Sequence, residues 1–576
     1  MSAVTTPASR LRRVYKMLGA LVPALIVGVP PFFLVREAAY RATLTTLGRD
    51  QGIFQYIGWA ITQGEVDYRD IRDVNGPLVH LVHALFLQLG GRDEQRFHVL
   101  DLAVTGASFA ILGACLPGLW KTPSSRVERW IARAGWAFAA WVALTGQYLL
   151  YLYWDLAQRE SILDWFLLPS LGLQLVAQRR LANGEKGRAL LVVVGALAAV
   201  TTFGKPTYAL FTIVQLVALA LDDETRLRLR SRIAPFLAGC AISSGAMLAF
   251  LFTRSDFGAF LKIYLVDVPT MYRFMMPRTP AEILSLQWGG TNAAMSLATS
   301  LVMLALIVGE QMPRRMLAIA VLPVVALGSV IAQAKGFPYH FHPVTAGLYV
   351  QWLSLAVWMS ERFRGSGSPL ARVAPLVASG AIAIRLGTMM PISPHIDNLW
   401  LLQKGGTAEQ RAGQDYLVFY RGPDFFPWEM REGAAYLKEH TAPYDRVQLY
   451  GMDPYLLFLA ERRSATPYIY AYDLNADGAL DGSWLPTGLH PTAAEKTRIT
   501  ALRDEHEADM LDRLKISPPA AFVFIDKAPL TTYEDAAFDY EKHCPTASAW
   551  TKARYRETAA FGEVHVWLRN DLADTR

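Results

Sequence analysis

The residues of this chain that could do chemistry gather in a few polar segments between long apolar runs. Asp50 precedes the short apolar stretch Ile53 to Thr62, Asp155 and Glu160 flank Arg159, and Lys205 stands before Pro206. Lys335, Tyr339, His340 and His342 crowd together ahead of Pro343, and Arg69 and Arg72 lie between Asp50 and Pro77. Carboxylates near cations are what is needed to take a proton from a hydroxyl and to stabilise a departing phosphate. Asp50 is the choice for general base. Asp155 and Glu160 serve as a second acid, a metal ligand or a partner for Arg159. Lys205, Lys335, Tyr339, His340, His342, Arg69 and Arg72 are the candidates for holding phosphate.

Each of these residues also has a plainer reading. Asp50 could cap the helix that follows it, and Glu160 could be a first-turn acid favoured by the next helix's dipole. Lys205 could snorkel to lipid headgroups, and the cluster from Lys335 to His342 could be loop packing. His340 and His342, two apart, have no third ligand nearby, so zinc is not expected. The stretch Asp473 to Gly478 does not complete a calcium loop. Asp50, Asp155 and Glu160 could bind a divalent ion or act without one, which leaves no cofactor certain. The tail from about 391 to 576 carries no dinucleotide fingerprint, phosphate loop or Ser-His-Asp signature.

The apolar runs decide the class of protein. With 576 residues, 52% of them hydrophobic and 18% charged, and a positive mean hydropathy, the chain is too apolar for a soluble enzyme. About eleven windows suit membrane helices, at approximately 14–35, 97–119, 134–153, 161–178, 189–204, 206–221, 233–253, 291–309, 316–334, 343–360 and 373–390. The loops between them alternate. One set is basic: Arg10 to Lys16, Lys121 to Arg133, Arg179 to Arg188, Arg226 to Arg232, Arg314–Arg315 and Arg362 to Arg372. The other set holds the candidate site residues. Basic loops face the cytoplasm, so the candidate residues face outward, and the net charge of +6 requires no nucleic acid. Three cysteines, Cys115, Cys240 and Cys544, make no disulfide framework. The first apolar run reads as a signal-anchor helix rather than a cleaved leader.

The chain divides into a membrane part, 1–390, and an extracytoplasmic tail, 391–576. The tail mixes strand candidates (Arg446 to Tyr450, Ala520 to Ile525, Val564 to Leu568) with helical stretches (Glu432 to His440, Pro454 to Arg462), the pattern of a small α/β domain. The first outer loop, 36–96, contains two apolar helices too short to span, Ile53 to Thr62 and Pro77 to Leu89. These are expected to lie in the interface plane, where a lipid substrate's headgroup would sit. The loop from Arg254 to Leu286 reads equally as a mobile flap or an interfacial helix.

The segments Asp50-Gln-Gly-Ile-Phe-Gln-Tyr56, Gly64 to Asp70, Asp73-Val-Asn-Gly-Pro-Leu78 and Gly90–Gly91 resemble the first outer loop of GT-C glycosyltransferases. More narrowly they are similar to the branch with protein O-mannosyltransferases and the lipid A aminoarabinose transferase. Asp155 to Glu160, Gly204-Lys-Pro206 and Lys335 to Pro343 resemble further outer-loop motifs of bacterial members. The resemblance covers roughly residues 1–390. It implies a GT-C membrane α-helical bundle in the bacterial inner membrane that moves a sugar from a polyprenyl-phosphate carrier to a glycan, lipid or protein acceptor, with a first-loop carboxylate central to catalysis. Two departures stand out. Gln51 occupies the place of a second acid, and Asn75–Gly76 that of a Lys, so the phosphate contact must come from elsewhere. A lipid-linked glycan polymerase or ligase and a multi-span transporter are the alternative readings; transport predicts polar residues in mid-span, whereas here they gather at outer helix ends.

Overall fold

The computed structural model describes residues 29–118, 126–222, 229–362 and 399–574. The expected span at 373–390, the basic loop after Arg362, the boundary at 390–391 and the N-terminal basic stretch lie outside the described residues. So do parts of the loops containing Lys121 and Arg226. In chain order the first helices are α1 (29–42), α2 (Arg49–Thr62), α3 (Pro77–Gly90), α4 (Glu94–Cys115), α5 (Arg126–Leu149), α6 (Leu152–Asp155), α7 (Arg159–Ala182), α8 (Arg188–Val200), α9 (Ala209–Leu221) and α10 (Leu229–Thr253). Long helices Gly289–Val308, Leu317–Gln333 and His342–Arg362 follow. From α4 onward the long helices overlap the apolar windows from 97–119 to 343–360, because an uninterrupted apolar run in lipid has to satisfy its backbone polar groups within a helix; residues 14–28 of the first expected span lie outside the described residues.

Among the described residues, four helices are long and apolar enough to cross a membrane: Glu94–Cys115, Leu229–Thr253, Gly289–Val308 and Arg314–Gln333. Their outer faces are bare hydrocarbon. Ile242 and Phe252 of α10 are each 63% exposed, and Leu297, Leu301 and Val302 form a similar face on the helix Gly289–Val308. Surfaces of this kind belong to a membrane protein. Inside the bundle, buried amides join neighbouring helices: Gln351 donates to the Ala320 carbonyl (2.7 Å) and to Ser300 (3.0 Å), and Gln215 donates to Ser170 (2.9 Å). Such bonds are worth more to specificity than to stability in lipid.

The first outer loop departs from expectation. Helix α1 runs on to residue 42, so Arg36 and Glu37 lie inside it rather than beyond its end, and Arg41 pairs with Glu37 one turn away (2.9 Å). Helix α2 begins at Arg49, four residues before the apolar stretch, and is buried from Arg49 to Ala60 apart from Asp50 itself. The tail covers it: a side chain on Gly52 would collide with the Tyr455 ring, at 2.7 Å. Only glycine admits that approach.

The tail carries a five-stranded mixed sheet in the order β2-β1-β3-β5-β4, with β1 (Arg446–Tyr450), β2 (Arg463–Ser464), β3 (Ala521–Ile525), β4 (Tyr555–Phe561) and β5 (Val564–Arg569). β1 is parallel to both β2 and β3, while β5 is antiparallel to β3 and β4. Strand β3, Ala-Phe-Val-Phe-Ile, is buried along its whole length, as a central strand covered on both faces must be. The helix expected from Glu432 starts earlier, at Pro427, whose ring suits a first helical position. The long charged helix Ala493–Ile516 and strand β4 were not anticipated, because neither shows a clear apolar period. One continuous apolar core runs from Val35 through the bundle to Leu568.

Ion pairs join the outer loop to the tail. Arg49 contacts Asp453 (2.9 Å) and Asp424 (3.3 Å), and Arg446 and Arg463 converge on Glu65 (2.7 and 3.2 Å). Arg72 bridges Asp267 (2.6 Å) and Asp473 (2.9 Å), thereby tying the outer loop to both the 254–286 loop and the tail. Removing one member of a buried pair strands the other charge, at a cost on the order of 3 kcal/mol or more. Arg72→Met is therefore expected to lower the unfolding temperature clearly, while Arg69→Ala, at an exposed side chain paired with the neighbouring Asp70, leaves it unchanged. Thermal unfolding of the purified variants in detergent checks the contrast.

Candidate active site

The first turn of α2 sets the position of Asp50. Gly48 adopts an extended conformation ahead of the helix, and its N–H donates to the Gln51 side-chain oxygen (2.9 Å). Gln51 thus performs the capping, and Asp50 sits within the first turn rather than at the cap. A first-turn acid is favoured by the helix dipole. The Gln51 amide nitrogen donates to the carbonyls of Tyr153 (2.8 Å) and Leu156, which clamps the turn bearing Asp155 against α2. Gln51 is thus a fastener between two segments of the cavity wall.

Asp50 opens onto a cavity of about 70 Å³ shared with Gln158, Arg159, Tyr272, Tyr339, Tyr470 and Tyr472. The Tyr339 hydroxyl stands beside the Asp50 carboxylate and favours its ionised form. Burial pushes that carboxyl up to about 6 against the pull of Arg49 and Arg159. Burial likewise raises Asp155 to about 7, helped by repulsion from Asp50 and Glu160. Two carboxyls of raised affinity for protons thus lie near each other. Among the described residues, the cluster of three that could hold a metal is elsewhere, at Asp477, Asp539 and His543 in the tail. Its carboxylates already receive Asn475, Tyr450 and Lys542.

Arg159 is the cation of the cavity. It opens α7, donates to the Asn75 side-chain oxygen and to Glu160 (3.2 Å), and keeps its Nε buried without a hydrogen-bond partner. Asn75 therefore brings charge to the cavity indirectly, by orienting a guanidinium from the start of α7. Gly76 makes this approach feasible: a Cβ there would lie 2.1 Å from the Phe203 carbonyl oxygen. The first outer loop consequently packs directly on the segment carrying Lys205.

Glu160 is fully buried and is gripped by Lys205, Arg159 and, at 3.8 Å, His340. Burial lowers His340 well below its usual range, so the ring stays neutral beside these cations. Lys335 donates to the backbone carbonyls of Tyr272 (2.9 Å) and Met275, holding the segment that presents Tyr272 to the cavity; burial lowers its ammonium to about 7. His342 pairs with Asp164 (3.0 Å) within the bundle. Arg72 is committed to Asp267 and Asp473, and Arg69 points outward to Asp70 (2.8 Å). Asp50, Arg159 and Tyr339 are thus together, Asp155, Glu160, Lys205, His340 and Lys335 surround them, and Arg69, Arg72 and His342 are engaged elsewhere.

Sequence reading passed over one supporting constellation. His80 lies between Asp67 (3.0 Å) and Asp73 (2.8 Å); burial works against its charge, yet the two carboxylates raise it to about 10. Asp73 also accepts from Asn75 (3.0 Å) and from Tyr470 of the tail (3.0 Å). This network fixes the orientation of Asn75 and hence of Arg159. The spacing of Asp67, Asp73 and His80 was the available signal, and it appeared only as loop acids and a helix histidine.

No family model and no curated protein matches the chain. Among solved structures it is similar to ArnT from Cupriavidus metallidurans bound to undecaprenyl phosphate, at 13% identity over 96% of this chain and 97% of that one, with a TM-score of 0.46. It is also similar to the archaeal oligosaccharyltransferase AglB from Archaeoglobus fulgidus in complex with an inhibitory peptide and a dolichol-phosphate, at 14% identity over 87% of this chain and 69% of that one, with a TM-score of 0.40. At such distances the functional reading has to rest on the residues of this chain.

The Asp50 carboxyl is expected to titrate near 6, protonated below and ionised above. Infrared difference spectra between acid and neutral pH should show its carbonyl band, absent from Asp50→Asn. Tyr339 favours the ionised form, so Tyr339→Phe is expected to move the midpoint upward. A midpoint near 4 in both proteins would contradict the described environment.

Proposed function

We propose that this chain is a GT-C type glycosyltransferase that moves a sugar from a polyprenyl-phosphate carrier to an acceptor at the extracytoplasmic face of the bacterial inner membrane. The observation that carries the reading is the shared cavity: a carboxylate of raised proton affinity and a guanidinium with an unbonded Nε face one space beneath a set of tyrosines. In this reading Asp50 accepts the proton of the acceptor hydroxyl as its oxygen bonds the anomeric carbon. The bond from that carbon to the carrier phosphate breaks, and the electron pair leaves on the phosphate. Arg159 meets the charge that develops there, with tyrosine hydroxyls as further donors.

A base with a proton affinity near neutrality is well matched to this task, since it is ionised at working pH yet still accepts a proton. The tyrosines suit a sugar, offering flat faces and hydroxyls together. Glu160, held by Lys205, keeps Arg159 in place rather than taking part in proton transfer. The donor class is taken from the resemblance of the outer-loop segments, and glycan, lipid or protein remains the range of acceptors. The outward orientation follows from the basic residues Arg179, Arg180, Arg314 and Arg315 at the opposite helix ends.

Transfer from a polyprenyl-phosphate sugar by the purified chain in detergent tests the reading. Asp50→Asn is expected to reduce the rate by about 10²- to 10⁴-fold, the range for loss of a general base. The wild-type kcat/KM should fall as pH drops through about 6. Arg159→Gln should impair donor use more than acceptor use. An Asp50→Asn protein that kept most of its rate would remove Asp50 as base and shift the role to Asp155.

A further inference from the structure

A second cavity, about 300 Å³, lies at the other end of the bundle. It forms where α4, α5 and α7 end, and the 24 residues of α7 separate it from the Arg159 end by roughly 36 Å at 1.5 Å per residue. Arg129, Arg133, Arg179 and Arg180 line it, with Glu185 as the carboxylate of the lining. Arg129 and Arg133 are one turn apart on α5, an arrangement of like charges that weakens a helix unless something anionic lies between them. Among the described residues, neither of them nor Arg180 pairs with a carboxylate. Arg179 is held in position by the Pro117 carbonyl (2.7 Å), just where Gly118 turns the chain at φ +80°.

The flank of the cavity identifies the source of the anion. On the same turn of α5, Val127, Trp130 and Ile131 are 67%, 66% and 68% exposed. Aliphatic side chains and an indole beside arginines are characteristic of a helix end at the boundary of headgroups and acyl chains. A site for a soluble phosphate compound would have no use for them. We propose that this cavity binds the phosphate headgroup of an anionic phospholipid from the adjoining leaflet, with the arginine forks on the phosphate oxygens and the acyl chains along Val127, Trp130 and Ile131. Basic pockets between helices at a cytoplasmic membrane face commonly bind such headgroups. This site is independent of the Asp50 cavity and of the reaction proposed there.

Native mass spectrometry of the full chain in detergent, titrated with phosphatidylglycerol, phosphatidylcholine or inorganic phosphate, tests the proposal. Phosphatidylglycerol is expected to bind about tenfold more tightly than phosphatidylcholine. Arg129→Gln with Arg133→Gln should weaken phosphatidylglycerol about tenfold, as loss of one to two charge-assisted bonds implies, without changing phosphatidylcholine or the lipid-free unfolding temperature. Equal binding of the two lipids, or unchanged phosphatidylglycerol binding in the variant, would overturn it. Inorganic phosphate binding as tightly as phosphatidylglycerol would overturn the lipid as source. Should the glutamine pair lower the lipid-free unfolding temperature, the wild type decides: phosphatidylglycerol binding must weaken steeply with salt, and insensitivity to salt contradicts the site.

Discussion

A charge taken out of water has to meet an opposite charge or several hydrogen bonds, and this requirement shapes the whole outer half of the molecule. Glu65, Asp73, His80, Arg49 and Arg72 are all buried. Each finds its counterpart on a different segment or within a tight local network, and Arg49, Arg72 and Glu65 do so across to the tail. The first outer loop is therefore held by the tail and the 254–286 loop, not merely laid on the membrane surface. Asp50 and Arg159 are the two members of this array that face the Tyr339 cavity. One has a raised proton affinity and the other a buried donor atom without a partner.

That imbalance is what a reactive centre needs. A base fully paired by cations would be too weak to take a proton, and a guanidinium with every N–H bonded would have nothing left for phosphate. The surrounding pairs absorb the remaining charge: Lys205 with Glu160, His80 with Asp67 and Asp73. Close backbone packing keeps the two groups in register. Gly76 lies against Phe203 and Gly52 against Tyr455, so the first outer loop has no side chain's width between it and the segment carrying Lys205 on one side or the tail on the other. Effective positioning of reacting groups depends on tolerances of this order.

Much of this was legible in the sequence, and the rest was not for identifiable reasons. The apolar windows gave the bundle helices because lipid allows one solution for an apolar run. Strands β1, β3 and β5 stood out as short β-branched and aromatic runs, whereas β4, with Arg, Glu and Thr, has one solvent face and no clear period. Asp50 was visible as an acid at the exit of the first helix. Arg159 was seen only as a neighbour of two acids, since nothing local says that Asn75, 84 positions away, would orient it. Arg72 looked as available for phosphate as any loop arginine; its partners Asp267 and Asp473 come from segments whose approach no local pattern encodes. Gln51 and Asn75 read as departures from a family pattern, and the fold gives both of them structural tasks.

Asp50 and Arg159 share one cavity, and in the proposed reaction they bring an acceptor hydroxyl to a phosphate-linked sugar. A cryo-electron microscopy map of the full chain with bound polyprenyl phosphate tests this most directly. The account predicts phosphate density within hydrogen-bonding distance of the Arg159 guanidinium, bordered by Tyr339, with the polyprenyl chain leaving between helices toward the lipid. Density for the phosphate on the far side of the bundle from Asp50, with the Asp50 cavity closed, would contradict it.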